Sequence, residues 1–216
     1  MPAAPDRRHL AYDYWRYAGR DFTQFYEVLF ERMKPVPPVL ELGSGLGYFL
    51  ECCRRHGMPV LGMESSGEGT AEAARRALPV VRADVTVPFP FKSGTFGSAF
   101  AHHVLEHIPP DGGASLMREV HRVLKDGGFL FVVSPNAHVP EAHDDPDHVN
   151  LFTAHQLARR LRAAGYRRVS LATNYWRPFW DPALRLGRLS SLISGALWKV
   201  APIDRMAGTA SAMAWK

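Results

Sequence analysis

Three glycines spaced by single residues are the clearest chemical feature of this sequence. Gly43, Gly45 and Gly47 lie in the segment ELGSGLG, residues 41–47, between an apolar run and a predicted helix. Glycine allows a tight turn and lets a ligand approach the backbone where a Cβ atom would collide. The N–H groups at the start of a helix remain free to bind that ligand. The spacing therefore predicts a turn that holds a nucleotide-like ligand.

The same segment disfavours a dinucleotide cofactor. The dinucleotide fingerprint is GxGxxG, whereas here the third glycine comes one residue early. Glu41 precedes the first glycine by two residues and suits a ligand with a positively charged amino group. A nicotinamide oxidoreductase, the competing class of enzyme, is therefore disfavoured.

Two further acidic residues lie at the ends of predicted strands. Glu64 ends the next apolar run, about twenty residues on, where a carboxylate can accept hydrogen bonds from both ribose hydroxyls. Asp84 ends the run after that. Because the carboxyl ends of parallel strands meet at one edge of a sheet, Glu41, Glu64 and Asp84 predict a crevice for a cationic nucleoside.

Apolar runs alternate with helical periodicity along the chain, and this pattern predicts the elements that position the acids. The predicted strands are residues 39–42, 59–64, 80–84, 96–101, 129–134, 167–172 and 209–216, the last as an edge strand. A helix is predicted at 67–78, and a Thr153–Gln156 capping box begins another. The alternation implies right-handed crossovers. The predicted fold class is α/β, a Rossmann-like doubly wound and mostly parallel seven-stranded sheet with helices on both faces.

Two segments fall outside this alternation. Residues 1–37 carry apolar side chains at helical spacing before a proline cluster, which predicts an N-terminal helical cap on a main domain of residues 38–216. Residues 182–200 predict an amphipathic helical insert before the last strand. Its apolar stripe is Leu186, Leu189, Ile193, Leu197 and Val200. We expect the cap and the insert to build an apolar acceptor pocket, with packing alone or contact with a membrane surface as alternatives.

Five segments carry a family resemblance between about residues 38 and 172. They are VLELGSGLG, VLGMESS, VRADVTVPFPFKSGTFGSAFAHHVLEHI, REVHRVLKDGGFLFVVSPN and HVNLFTAHQLARRLRAAGY. Together they resemble class I S-adenosylmethionine-dependent methyltransferases, in the small-molecule group with a type 11-like domain. The resemblance implies S-adenosyl-L-methionine as cofactor. It implies contacts to the cofactor from Glu41, Gly43, Ser44, Gly45 and Gly47 (methionine part), Glu64 (ribose), Asp84 and Val85 (adenine), and also from Ser65 and His102.

The sequence departs from the family pattern at two positions. Gly97 stands where the family usually has aspartate, a change that bears on the local strand geometry. Glu64 replaces the more frequent aspartate, and a glutamate can still reach a ribose.

The resemblance also implies an in-line displacement at a methyl group activated by a sulfonium, which requires neither a metal nor a covalent intermediate. A hydroxyl nucleophile must lose a proton, and histidine is the natural base near neutral pH. His103, after the fourth predicted strand, is the first candidate for the catalytic base, and His148 is the second. For each, a hydrogen bond to a neighbour is the alternative role. His107 is predicted to be structural.

No metal ion is predicted. The loop after the fifth predicted strand combines carboxylates and imidazoles, which suit divalent cations, but their spacing matches no definite ligand pattern. These loop residues are His143, Asp144, Asp145, Asp147 and His148. The adjacent Cys52 and Cys53 cannot form an unstrained disulfide with each other, which predicts packing residues in a reducing compartment.

The composition and net charge limit the classes of partner that we expect this protein to bind. The 216 residues include 26 Lys and Arg against 21 Asp and Glu, a net charge of +5 that is spread along the chain, so nucleic acid is not favoured. The chain lacks a secretory or membrane-spanning pattern, which predicts a cytoplasmic protein. The predicted function is methyl transfer to a small-molecule acceptor, preferably an oxygen nucleophile with an apolar part. Nitrogen and carbon acceptors, RNA, a lipid-like acceptor at a membrane surface, and a non-catalytic cofactor-binding module remain alternatives.

Overall fold

One seven-stranded sheet organises the protein, which we describe from a computed structural model over residues 21–172, 193 and 196–216. The strands are β1 (Val39–Leu42), β2 (Val60–Glu64), β3 (Val80–Arg82), β4 (Phe96–His102), β5 (Leu124–Pro135), β6 (Arg168–Leu171) and β7 (Thr209–Trp215). Their order across the sheet is β3-β2-β1-β4-β5-β7-β6. Strands β1 to β5 pair in parallel, and β7 runs antiparallel to both of its neighbours. The predicted mostly parallel seven-stranded sheet is confirmed.

The predicted position of the last strand is wrong. Strand β7 lies between β5 and β6, so β6 is the edge strand. The small side chains of β7, including Ala210, Ala212 and Ala214, are fully buried, which suits an interior strand. Strand β6 instead alternates exposed and half-buried residues and begins at Arg168, and charged, partly exposed residues are typical of an edge.

Besides the helical residues 193 and 196–200, five α-helices flank the sheet in the described part of the chain. They are α1 (Thr23–Met33), α2 (Tyr48–Arg55), α3 (Gly67–Arg75), α4 (Pro110–Val123) and α5 (Ala154–Ala163). The predicted Thr153–Gln156 capping box is present at the start of α5. Two predicted boundaries differ from the structure: α3 ends three residues early, and β5 begins at Leu124 rather than at residue 129, with residues 125–128 forming a bulge within it.

Apolar side chains fill both faces of the sheet. On one face α4 and α5 pack against β1, β4 and β5 through residues such as Leu116, Val120 and Leu157. On the other face Leu29 and Phe30 of α1 share a core with α2 and the same strands. The segment of the predicted cap that is described therefore packs directly on the sheet, and the division at residues 37 and 38 stays a prediction.

The predicted insert is described only at Ile193 and residues 196–200, which are helical, and Leu186 and Leu189 lie outside the described residues. Trp198 is buried against Ala154 of α5 and Ala207. The predicted stripe residues Ile193 and Val200 are instead 37% and 85% exposed. Across the described ranges, no helix is both long and apolar enough to cross a membrane.

The departure at Gly97 has a structural reason, because the chain preceding β1 crosses directly over this residue. A Cβ atom at position 97 would lie 2.6 Å from the carbonyl oxygen of Val36 and 2.7 Å from that of Pro37.

Gly97→Ala should therefore lower the free energy of unfolding by about 1–3 kcal/mol, measured by urea denaturation. Gly67→Ala is the matched control, since the added Cβ would meet only the Arg82 side chain at 3.6 Å or more. Equal stability of the two variants would contradict this account.

Candidate active site

The glycine turn after β1 has the predicted geometry. Gly43, Gly45 and Gly47 have φ angles of 62°, 52° and 75°, in the left-handed region that favours glycine. A Cβ atom at Gly43 would lie 2.8 Å from the Val104 side chain, and one at Gly47 would lie 2.7 Å from that of Leu78. The turn therefore requires glycine on both conformational and steric grounds.

Glu41 is a buried carboxyl group with an unused acceptor. The residue is 4% exposed, and its Oε2 atom has no hydrogen-bond partner among the described residues. Burial raises the pKa of Glu41 well above its usual range, and the negative charge of Glu64 raises it further. The buried Oγ atom of Ser44 also lacks a partner in the described structure. Buried polar atoms are normally paired, so these two atoms are suited to a polar ligand held on the turn.

Glu64 ends β2, as predicted, and fastens the glycine turn to α3. Its Oε2 atom accepts a hydrogen bond from the Gly45 N–H at 2.7 Å, and its Oε1 atom accepts one from the Ser66 N–H at 2.7 Å. Ser66 in turn caps α3 by accepting from the N–H groups of Glu68 and Gly69. Each Glu64 oxygen keeps a further acceptor site, because a carboxylate oxygen carries two lone pairs.

Glu64→Ala should weaken binding of S-adenosylhomocysteine by about 1–3 kcal/mol, because the predicted acceptor of the ribose hydroxyls would be lost and the N–H groups of Gly45 and Ser66 would lose theirs. Isothermal titration calorimetry measures this change. Glu68→Ala, at an exposed position on the adjacent helix, is the control that should bind normally. Unchanged affinity in Glu64→Ala would remove this residue from the site.

The predicted adenine contacts lie just beyond β3. Asp84 follows the end of β3 by two residues rather than ending it, and its Oδ1 atom accepts hydrogen bonds from the N–H and the hydroxyl of Thr86. Val85 is half-buried at the margin of the apolar core. Ser65 accepts a hydrogen bond from Arg82 through its carbonyl oxygen. The cofactor roles of all three stay predictions.

His102 ends β4 inside an aromatic cluster. Its ring lies 5.4 Å from Phe25, 5.9 Å from Tyr26 and 5.9 Å from Phe100, measured between ring centroids. Burial lowers the pKa of His102 well below its usual range, and the charge of His103 lowers it further. Both effects favour the neutral form of the His102 ring.

Tyr26 of α1 was not among the predicted site residues. Its hydroxyl lies 3.4 Å from Nδ1 of His102, and its ring stacks on Tyr48 with centroids 6.1 Å apart. Burial raises the pKa of Tyr26, and the charge of Glu41 raises it further. The helical spacing of Phe22, Tyr26 and Phe30 was the available signal, since it places these rings on one face of a helix.

His103 follows β4 with a backbone conformation that is uncommon outside glycine. Its φ angle is 54°, and strained residues of this kind concentrate at functional sites. Its Nδ1 atom lies 2.9 Å from Oε1 of Glu106, a distance typical of an ion pair, although the ring N–H is not aimed at that oxygen. Glu106 is fully buried, whereas the His103 side chain is 46% exposed. Burial alone would raise the pKa of Glu106, but the nearby His103, a backbone hydrogen bond and the charge of His107 together lower that pKa.

His148, the second predicted base, lies beside His107, and one ligand atom of each lies within 4.8 Å of one from Glu106. The two rings have centroids 5.0 Å apart. His148 Nδ1 lies 2.7 Å from the carbonyl oxygen of Ala142, within the loop that follows β5. The predicted acidic residues of this loop are half-buried or exposed, and Asp144 contributes only its backbone to the hydrogen bonds described.

The sheet order, the single reversed strand and the glycine turn after β1 together form the fold of class I methyltransferases. The methyltransferase-domain family matches residues 14–171, more than half of the sequence, and the chain belongs to this family. No curated protein sequence matches the chain.

Many solved structures share the fold, including the following three. An S-adenosylmethionine-dependent methyltransferase from Archaeoglobus fulgidus is 18% identical with a TM-score of 0.71, over 98% of this chain and 100% of that one. The cyclase SpnF is 23% identical with a TM-score of 0.62, over 90% of this chain and 81% of that one. A phosphoethanolamine N-methyltransferase of Haemonchus contortus, in complex with phosphomonomethylethanolamine and S-adenosylhomocysteine, is 16% identical with a TM-score of 0.67, over 94% of this chain and 55% of that one. At these identities the likeness shows the fold alone.

Proposed function

We propose that this protein transfers a methyl group from S-adenosyl-L-methionine to the oxygen of a small-molecule acceptor with an apolar part. The observation that carries the proposal is the pair formed by His103 and the buried Glu106, at the same edge of the sheet as the glycine turn. Ligands of open α/β sheets bind at this edge, beyond the carboxyl ends of the parallel strands.

The turn fits the cofactor. S-adenosyl-L-methionine is the cofactor of this family, and when bound it supplies an electrophilic methyl group whose transfer releases neutral S-adenosylhomocysteine. The unpaired Oε2 of Glu41 is suited to its ammonium group, and the left-handed glycines let its methionine part approach the backbone. Glu64 faces the turn with spare acceptor sites for the ribose hydroxyls.

His103 is suited to the role of general base. Nδ1 of His103 lies 2.9 Å from Oε1 of Glu106, so a small rotation of the ring would let Nδ1–H donate to this carboxylate, in the tautomer that leaves a lone pair on Nε2. The acceptor hydroxyl gives its proton to this Nε2 as its oxygen bonds to the methyl carbon. Glu106 stabilises the imidazolium that results, as an orienting carboxylate does in other acid–base sites.

An apolar acceptor is supported by the surface beside the histidines. Phe25 of α1 is 46% exposed and lies against His102, whose ring is 4.4 Å from that of His103. Val28, also on α1, is 61% exposed. An acceptor held at His103 would cover part of this surface.

Transfer of labelled methyl groups to fractionated small metabolites tests the proposal. We expect label in a compound of intermediate polarity, bound to oxygen and stable to amine-specific derivatisation. Label in RNA or in extracted lipid would favour one of those acceptors instead. Tight binding of S-adenosylhomocysteine without turnover on any fraction would favour a non-catalytic cofactor-binding module.

A further inference from the structure

We infer that Glu106, His107 and His148 form a binding site for a divalent transition-metal ion such as Zn²⁺. One ligand atom from each residue lies within 4.8 Å of the others. In a tetrahedral zinc site with bonds of about 2.0–2.2 Å the ligand atoms are about 3.3–3.6 Å apart, so side-chain movements of about 1 Å would bring all three onto one ion.

Both imidazoles are held in the tautomer that metal binding needs. Nδ1 of His107 lies 3.2 Å from the carbonyl oxygen of Asp147, and Nδ1 of His148 lies 2.7 Å from that of Ala142. A carbonyl oxygen can only accept, so each Nδ1 carries the proton and each Nε2 keeps its lone pair. A backbone carbonyl on the opposite ring nitrogen is the usual support for a metal-binding histidine.

The buried carboxylate of Glu106 is a second, independent observation that points to a bound cation. The residue is 0% exposed, and its Oε1 atom has no well-aligned hydrogen-bond partner in the described structure. Its Oε2 atom accepts from the Ser134 hydroxyl at 3.1 Å, which fixes the carboxylate. A buried carboxylate oxygen without a full partner is costly, and a cation would satisfy it.

Asn150 links the two segments that carry the cluster formed by Glu106, His107 and His148. Glu106 and His107 lie in a 3-10 turn after β4, whereas His148 lies in the loop after β5. The Asn150 N–H donates to the Glu106 carbonyl at 3.0 Å, and the Asn150 side chain donates to the Ile108 carbonyl at 2.9 Å. The cluster is therefore positioned by buried hydrogen bonds rather than by a chance approach of two exposed loops.

The donor set selects the kind of ion. Two imidazoles with one carboxylate suit zinc, iron, cobalt and nickel, whereas magnesium and calcium prefer sites made of oxygen atoms. Three protein ligands leave at least one position for a water or a substrate oxygen. Since His103 contacts the same Glu106, an ion here would lie beside the base, where it could hold the acceptor oxygen and favour loss of its proton. That role, unlike the binding itself, rests on the proposed function.

Metal titration of the chelator-treated full chain tests the site without any methyl transfer. We expect one Zn²⁺ to bind per chain by calorimetry, and Co²⁺ to bind with a visible absorption band, while Mg²⁺ binds far more weakly. His107→Ala and His148→Ala should each weaken Zn²⁺ binding by about 10–100-fold or more. Because Glu106 is buried, Glu106→Gln is compared by melting temperature before its affinity is interpreted.

Two matched controls make the test specific. His56→Ala removes the other described grouping of ligating residues, Glu27, Cys52 and His56, and His143→Ala removes an exposed histidine from the same loop as His148. Both should bind Zn²⁺ like the unchanged protein. Absence of saturable binding at millimolar Zn²⁺, or loss of binding only in His56→Ala, would overturn the inference. If the protein binds the metal but transfers no methyl group to any acceptor, the metal site is supported and only the proposed function is contradicted.

Discussion

His103→Asn should reduce the turnover rate by about 10²–10⁴-fold, because the acceptor hydroxyl would lose its general base. Asparagine is chosen because it tolerates the left-handed conformation that His103 adopts, at a φ of 54°, so the backbone need not change. Cofactor affinity should stay within a few-fold of the unchanged protein. A fall in turnover with intact binding is the signature of an interaction made only in the transition state.

Two further measurements separate a base from a merely structural histidine. Added imidazole should restore part of the activity of His103→Asn. His143→Asn, an exposed histidine variant in the loop after β5, should behave like the unchanged enzyme. Full activity in His103→Asn would exclude this residue and make His148 the next to be tested.

Glu41→Gln should weaken binding of S-adenosylhomocysteine by about 1.5–3 kcal/mol, roughly 10–150-fold, because a charged hydrogen bond to the ammonium group would be lost. Burial and the nearby charge of Glu64 raise the pKa of Glu41 in the free protein. Pairing with a cation favours the ionised carboxylate, so binding should release a proton. Affinity should therefore rise with pH up to the raised pKa of Glu41 and become constant above it.

Calorimetry in two buffers of different ionisation enthalpy at the same pH measures this proton release. The release should be present in the unchanged protein and in Glu31→Gln, an exposed carboxyl variant on α1, and absent in Glu41→Gln. Binding enthalpies that do not depend on the buffer would show that Glu41 does not change its protonation when the ligand binds.

The sequence predicted most of what depends on local pattern. The glycine turn, Glu64 at the end of its strand and the capping box at Thr153 all follow from residues within one turn or one strand of each other. The interior position of β7 could not be read in the same way, because it depends on which distant strands pair with it.

Contacts between residues far apart in the sequence explain why sequence analysis did not identify several residues of the candidate site. Tyr26 meets His102 across 76 positions of sequence, and Asn150 meets Ile108 across 42. The loop residues matched no metal spacing because two of the three proposed ligands, Glu106 and His107, belong to a different turn. Spacing rules detect ligands that share one segment, and this cluster draws on two.

The antiparallel strand β7 also limits how the sheet can fold during synthesis of the chain. Strand β6 reaches the rest of the sheet only through β7, which begins 38 residues after β6 ends, counted from Leu171 to Thr209. During synthesis on a ribosome, residues 168–171 therefore emerge well before the strand that joins them to β5. The sheet cannot be completed strand by strand as the chain appears, because β7 pairs with β5 and β6 across long sequence separations, and such pairing slows folding.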